Sequence, residues 1–530
     1  MKLQLSLFII VFSTWATAQE IISLPAKDDR VILFQSIVDE MTRLDGEGLP
    51  VRANRPETWE VTTAKLKEEV QNAKNLFDLG RVFKRLNATY PNLHANVYMH
   101  RELDRNKSEG KLNFDFKITP DLIERNKKNY TYYVSPLSEQ SEFQKGDVVV
   151  AINNVAIEQL AEENFIFCKF PTRTQCALEL NDNIRNEIIG WKRPQPLEIT
   201  VLRRLEKKTI IAKTNVEKDP TKNAEEPQNC FEVGARYKDF RLDYKGFNIC
   251  AFVSAGSPKK IVIRIKSFVY QPEDPITALK TEVDMFWFNY WRKIGGSVDE
   301  VIFDVIGNYG GQSPVPYYAL FTDYLYQEMY VQFRKSPELE KKELLDSMLW
   351  GEKGKEIWLE NIKKEGIYAT TKDGEFLPPI PQFCANQEKD CRENRFRPKR
   401  HKFKGQVKLL VDQWCISSCV GFIDNMAKLF KGKVKIYGHE DSADSAYSRL
   451  TIAGSAFAGA NKVSVQTLRK AKKPDSPEPW VRQVVAVTRS TDKSGAMLAG
   501  KPQELTKWIP RKWHHSELDW AREVFNKAVQ

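Results

Sequence analysis

The stretch VKLLVDQWCISSCVGFIDNMAKLF, Val407 to Phe430, constrains this chain more than any other. It reads as a short apolar strand, Val407 to Val411, then a polar break with two adjacent serines, then an amphipathic helix. Phe422, Ile423, Met426, Ala427 and Phe430 recur at helical spacing and would face one core. A strand that runs straight into a helix places Ser417 and Ser418 at the helix start. There, unpaired backbone N–H groups and the positive end of the macrodipole can stabilise an oxyanion. A serine at that point is either a helix N-cap, for which it is among the best residues, or a nucleophile. The stretch alone favours the cap, so the rest of the chain has to decide.

A chain of 530 residues exceeds what one hydrophobic core usually organises, which predicts two or three domains. The 42% apolar share, with 12 Trp and 29 Phe, is that of a globular protein and excludes disorder as the class. The N-terminus has one basic residue (Lys2), an apolar run from Leu3 to about Trp15, and Ala16-Thr17-Ala18 before Gln19. This is the pattern of a secretory signal cleaved after Ala18. No later stretch approaches the ~18 apolar residues of a membrane span, so the expectation is a soluble, exported protein, periplasmic or secreted. Eight cysteines all follow the signal: Cys168, Cys176, Cys230, Cys250, Cys384, Cys391, Cys415 and Cys419. An even count in an exported chain permits a full set of disulfides, with connectivity left open. No CxxC or HExxH spacing occurs, so no metal is expected. The net charge of +11 comes from 81 basic against 70 acidic residues, a modest excess without a nucleic-acid motif. No nucleic-acid partner is expected.

In chain order, about Asp28 to Leu86 reads as helices with Pro and Gly punctuation between them. LNATYPNLHANVYM then delivers His94 in a polar turn just before a strand. Between about Asn129 and Lys213 the texture changes to short strands: FQKGDVVVAINNVAIEQL, then PLEITVLRR and KKTIIAK. After a polar linker, strands alternate with a helix through GFNICAFV, KKIVIRIKSFVY and SVDEVIFDVIGNYGGQS, which argues a βαβ unit and a mainly parallel sheet. The strand Val301 to Val305 empties into Gly307-Asn308-Tyr309-Gly310-Gly311, where glycines permit close approach of backbone to a ligand or form a simple turn. A charged helical stretch and a cysteine loop fill 335–405, and strands and a terminal amphipathic helix complete the chain.

The segment with the Gly146-Asp147 turn resembles a PDZ domain, in which an extended peptide adds to a sheet edge. Gly146 and Asp147 are its candidate peptide-binding residues, although the insertion with Cys168 and Cys176 departs from a minimal PDZ. The order of all these elements resembles the C-terminal processing peptidases and their tricorn-like relatives. FDVIGNYGG is similar to the family's Asp-Leu-Arg-Gly-Asn-x-Gly-Gly loop, with Ile306 where arginine is usual. The resemblance makes Gly310 and Gly311 candidates for one oxyanion-hole N–H. LLVDQWCISSCVGF is similar to the nucleophile segment, in a register that selects Ser417, with the Ser418 N–H completing the hole. Ser418 is the nucleophile if the register slips by one.

Many members use a serine–lysine dyad, but no lysine lies between Lys435 and Lys462, and Asp444 falls near the lysine's place. The resemblance then points to the tricorn-like branch, with a histidine just after the N-terminal helices. That is His94, although Asn92 replaces the usual acidic residue. A glutamate near the C-terminus would orient it, for which Glu504 is the candidate. His439, which follows the strand next to the nucleophile helix, is the rival base. The implied architecture is α/β and multi-domain: a helical N-terminal domain, a PDZ-like β-rich domain, and a ClpP/crotonase-like α/β catalytic core with a mainly parallel sheet. The boundaries are a signal at 1–18, the helical domain at 19–110, the PDZ-like domain at 111–215, the core at 216–334 and 406–530, and an inserted helical and basic region at 335–405. The implied function is an exported serine endopeptidase acting on extended or unfolded protein substrates without a cofactor. The alternative is a non-catalytic protein on the same scaffold that binds peptide or an apolar ligand.

Overall fold

The computed structural model describes residues 23–45, 59–90, 92–192, 196–217, 230–256, 259–270, 275–312, 314–318, 320–321, 326–327, 330–341, 353–381, 395–396, 403–430, 433–444, 449–457, 462–468, 479–495 and 502–530. The signal-like segment, Cys384 and Cys391 lie outside these residues. Helices α1 (Lys27–Leu44), α2 (Trp59–Asn72) and α3 (Leu76–Thr89) lead to strand β1 (Val97–Met99). A β-rich module follows, with β2 (Phe116–Pro120), β3 (Tyr132–Pro136), β4 (Val148–Ile152), α4 (Ile157–Phe167), α5 (Arg173–Asn183), β5 (Glu198–Arg203) and β6 (Glu206–Ile211). Its six-stranded sheet runs β2-β3-β4-β5-β6 along the main path, and it buries a core of its own that includes Ile118, Val134, Ile152, Leu180 and Val201.

The central sheet has seven strands in the order β7 (Phe240–Lys245), β8 (Ile249–Ser254), β9 (Lys260–Ile265), β10 (Glu300–Asp304), β11 (Gln406–Val411), β12 (Val434–Gly438) and a last strand at Lys507–Trp508. From β9 onward every pairing is parallel, and β7 and β8 close one edge antiparallel. Parallel strands covered on both faces read as unbroken apolar runs rather than as alternation. Every residue of β10 is buried, and Gln406 is the one exposed residue of β11. Val301, Phe303, Leu409 and Val411 face α6 (Pro275–Phe286) and α7 (Ser418–Leu429). Ile302 and Leu410, one residue out of step, face the terminal helix α8 (Glu517–Val529) through Trp520, Val524 and Phe525. Buried Lys408 is paired with Glu300 at 2.8 Å and donates to the Ala528 carbonyl at the end of α8, where a cation complements the helix dipole.

The N-terminal helices do not close a core among themselves. Their apolar faces, including Leu33, Phe34, Ile37, Leu66, Val70 and Phe83, pack with Leu450, Ile452, Val481 and Val485 of a four-stranded antiparallel sheet. In that sheet β1 pairs with Val481–Ala486, which pairs with Arg449–Phe457. The expected insertion also joins this core through Leu339, Trp358, Leu359, Ile362 and Leu377. It is therefore load-sharing structure as far as the described residues go. Among those residues no helix is long and apolar enough to cross a membrane.

Phe422 of α7 is fully buried against the rings of Phe268, Phe303, Tyr317 and Tyr318. Phe422→Ala is expected to cost about 3–5 kcal/mol, read as a lower denaturant midpoint.

Candidate active site

Strand β11 delivers the chain to Asp412, whose buried carboxylate accepts N–H groups from Gly307 at 3.0 Å and Trp414 at 3.2 Å. Burial pushes its pKa up to about 6 against the opposing Gly307 hydrogen bond. Cys415 and Cys419 are joined by a disulfide that spans the turn, so neither offers a thiolate. Between them Ser417 adopts φ 60° and ψ −122°, a region that a non-glycine residue occupies only when its surroundings hold it there. Its N–H donates to the Asp444 carbonyl at 2.6 Å, and its own carbonyl accepts from Gly421 at 3.1 Å as α7 begins. Although Ser417 is at the N-cap position, its hydroxyl makes no capping hydrogen bond. The neighbouring Ser418 hydroxyl donates to the Gly311 carbonyl at 2.9 Å. Of the two serines, Ser418 is tied to the glycine loop and Ser417 is held by its backbone alone.

The glycine loop is set by two buried polar residues of β10 and its exit. Asp304 is paired with Arg264 at 3.1 Å and Arg236 at 3.2 Å and accepts from the Tyr237 hydroxyl at 2.5 Å. Burial alone would raise its pKa, but the two guanidinium groups outweigh it and hold the carboxyl below its ordinary range. Asn308 donates to the Ile265 carbonyl at 3.1 Å and accepts the Gly310 N–H at 2.9 Å. Gly310 is at φ 83°, and a Cβ there would lie 2.4 Å from the Ile416 carbonyl oxygen and 2.9 Å from the Ser417 Cβ. The absent side chain is what lets this loop lie against the serine turn. Ile306 is buried in the core under α8.

His94 occupies a turn that starts at Asn92. The buried Asn92 side chain accepts the N–H of His94 at 2.8 Å and of Ala95 at 3.1 Å. The His94 Nδ1 lies 3.3 Å from the Asp444 carboxylate, which also accepts the Leu93 N–H. Asp444 is buried, and its main-chain carbonyl is the acceptor of the Ser417 N–H. One residue thus bonds to the serine turn through its backbone and to the histidine turn through its side chain. The loop bearing it is fixed by Asp441, which accepts N–H groups from Ala443 at 2.7 Å and Gln503 at 2.9 Å. Burial pushes the Asp441 carboxyl up to about 7.

The rival histidine is built into a core. His439 is fully buried between Trp508 and Trp520, and its Nε2 is 2.9 Å from the Ile509 carbonyl. A carbonyl partner makes that nitrogen the N–H, and burial lowers the ring's pKa to about 3. His100 accepts the Glu102 N–H on its Nδ1, His515 is set against Glu523, and His401 lies outside the described residues.

Glu504 is exposed, while its neighbour Gln503 turns inward to Asp441 and Asp424. The carboxylate placed against His94 is Asp444 instead. Gly146 is at φ 95° with its N–H on the Val134 carbonyl, and the Asp147 N–H goes to Gln144. The Asp147 carboxylate holds Arg203 at 2.8 and 2.6 Å. Both residues are committed to closing their turn, with no N–H left for a peptide carboxylate. A cavity of about 420 Å³ in the same module, lined by Phe114, Lys117, Leu137, Asn181 and Arg185 among others, includes none of the residues around Ser417.

No protein-family model matches the chain, and no curated protein matches it. Solved structures do. Mature CPAF complexed with lactacystin aligns over 95% of this chain and 97% of its own, with a TM-score of 0.58 and 11% identity. The photosystem II D1 C-terminal processing protease aligns over 94% and 97%, with a TM-score of 0.36 and 10% identity, and the tricorn protease with a TM-score of 0.27. The chain therefore shares the overall fold of CPAF, a mixed α/β multi-domain architecture with several sheets.

Gly310→Ala forces a side chain into positive φ and against the serine turn, and is expected to destabilise by more than about 1–2 kcal/mol in chemical denaturation. His439 makes a separate, pH-dependent contribution. Its folded pKa of about 3 lies below the ordinary 6.5, so the folded state is favoured above pH 6.5 and loses that advantage as pH falls towards 3. His439→Gln, compared with wild type by denaturation at pH 5 and pH 8, should show a smaller loss of stability at the acid end.

Proposed function

We propose that this protein is an exported serine endopeptidase of the C-terminal processing kind, acting on extended or unfolded protein chains. The observation that carries this reading is the linkage through Asp444. A serine held at positive φ at a helix start, its hydroxyl not spent on capping, receives support from the same residue whose carboxylate faces a histidine ring. Ser417 attacks the scissile carbonyl, and His94 takes the hydroxyl proton and returns it to the leaving amine. With Nδ1 turned to Asp444, Nε2 is the ring nitrogen that carries the proton between them. Asp444 holds the tautomer and stabilises the imidazolium, the role first expected of Glu504.

The Ser418 N–H, at the first position of α7, is the proposed donor to the oxyanion. Gly310 spends its N–H on Asn308, which makes Gly311 the proposed second donor. The β-rich module, PDZ-like in this reading, presents or gates the substrate. Export is supported by the three disulfides among the described residues, Cys168–Cys176, Cys230–Cys250 and Cys415–Cys419.

The test is turnover of casein by the oxidised protein beside Ser417→Ala, His94→Ala, Asp444→Asn and Glu504→Gln. Loss on the order of 10⁴-fold is expected for the first three, with Glu504→Gln near wild type. Activity that survives Ser417→Ala in a folded protein defeats the assignment. Complete inertness of wild type, with retained binding of peptides or apolar ligands, supports the non-catalytic alternative.

A further inference from the structure

The connection between α4 and α5, residues 168–172, and the first turn of α5 are closed by the Cys168–Cys176 bridge into one disulfide loop, which reaches out of the β-rich module. It bears two side chains that end on the turns around His94 and Asp444. Lys169 Nζ donates to the Asn87 side chain at 3.2 Å, to the Asn92 carbonyl at 3.3 Å and to the Ala95 carbonyl. These last two carbonyls bracket His94. Gln175 is fully buried, and its Nε2 donates to the carbonyls of Glu440 at 3.1 Å and Asp441 at 2.8 Å, the segment that leads into Asp444.

Neither contact is incidental to the loop. Gln175 is fixed by a reciprocal capping box with Thr172 at the start of α5, which leaves its amide aimed outward from the helix. Cys168, Cys176 and Phe170 form a small apolar cluster with Leu93 and Trp414, so the loop also packs beside the histidine turn and the approach to the serine turn. Arg125, from the same module, pairs with the buried Glu440 carboxylate. A lysine ammonium is otherwise well hydrated, and it is held among carbonyls here because the turn presents several of them together.

We propose that Lys169 and Gln175 are positioning residues: from one disulfide loop, the first fixes the turn of His94 and the second the segment of Asp444, so that the seating of the β-rich module sets the histidine–aspartate geometry. The inference rests on the serine peptidase reading for its kinetic consequence, and on the contacts alone for its structural one. Catalytic geometry tolerates little displacement, and an error of about 1 Å can cost roughly 100-fold.

The experiment compares Lys169→Met, Lys169→Arg and Gln175→Leu with wild type, each checked for a cooperative melt. Casein or peptide kinetics are run beside NMR of the ¹³C-labelled His94 ring, assigned by the resonance lost in His94→Gln. Lys169→Met and Gln175→Leu are expected to lower kcat by about 10- to 100-fold with KM within about twofold, and to shift the His94 resonance. Lys169→Arg, which keeps the donors, should recover most of the rate. Folded Lys169→Met with unchanged kcat and an unchanged His94 resonance overturns the proposal. So does a loss of rate that arginine does not rescue and that leaves the resonance in place. If wild type itself does not turn over, the peptidase reading fails, and the His94 resonance in the variants still decides whether Lys169 positions that ring.

Discussion

Asp444 makes the interaction on which the rest of the site depends. Its carbonyl accepts the N–H of Ser417 and its carboxylate meets both the His94 ring and the Leu93 N–H. The serine and histidine turns come from opposite ends of the chain and belong to different cores, so nothing local could align them. A buried residue bonded through its backbone to one turn and through its short side chain to the other can, because each bond restricts a backbone segment and burial makes an unmade bond costly. The residue is in turn held by a loop that Asp441, Gln503 and Gln175 fasten from three directions.

The parallel sheet sets the stage for that interaction. Strands β10 and β11 are adjacent and in parallel register, so the glycine loop and the serine turn leave the sheet from the same edge. Brought side by side in this way, they can touch only if one of them lacks a side chain, which is the part Gly310 plays. The polar residues beneath, Asp304 with Arg264 and Arg236, and Asp412 with the Gly307 N–H, fix where the two exits point. The disulfide from Cys415 to Cys419 closes the serine turn over the same short span.

The N-terminal helices and the β-rich module contribute from outside this sheet. Helix α3 ends where the His94 turn begins, and its own burial depends on strands from the last fifth of the chain. The β-rich module has an independent core, yet its disulfide loop and Arg125 end on the turns around the site. On the reading proposed above, a module built this way influences chemistry through seating alone, without presenting a group to substrate.

The sequence by itself determined the local pieces. Apolar runs bounded by turn residues located the central strands, amphipathic spacing located α7, and adjacent serines between strand and helix marked the turn where Ser417 lies. Glycines directly after a buried strand marked the opposing loop, and a polar turn after helices marked His94. Each of these is a pattern carried by neighbours in the chain, which is why it could be read there. Only the tertiary structure decided which distant groups meet. Asp444 sits in an irregular, weakly hydrophobic segment with no periodicity to single it out, whereas Glu504 is suggested by its place along the chain and is exposed. Similarly, His439 is indistinguishable from a catalytic histidine until Trp508 and Trp520 are seen to enclose it. Gly146 and Asp147 form the turn that their sequence suggests, but the partners of their N–H groups come from the fold. Hydrogen bonding across hundreds of residues depends on where backbones are brought together, and no single segment encodes that.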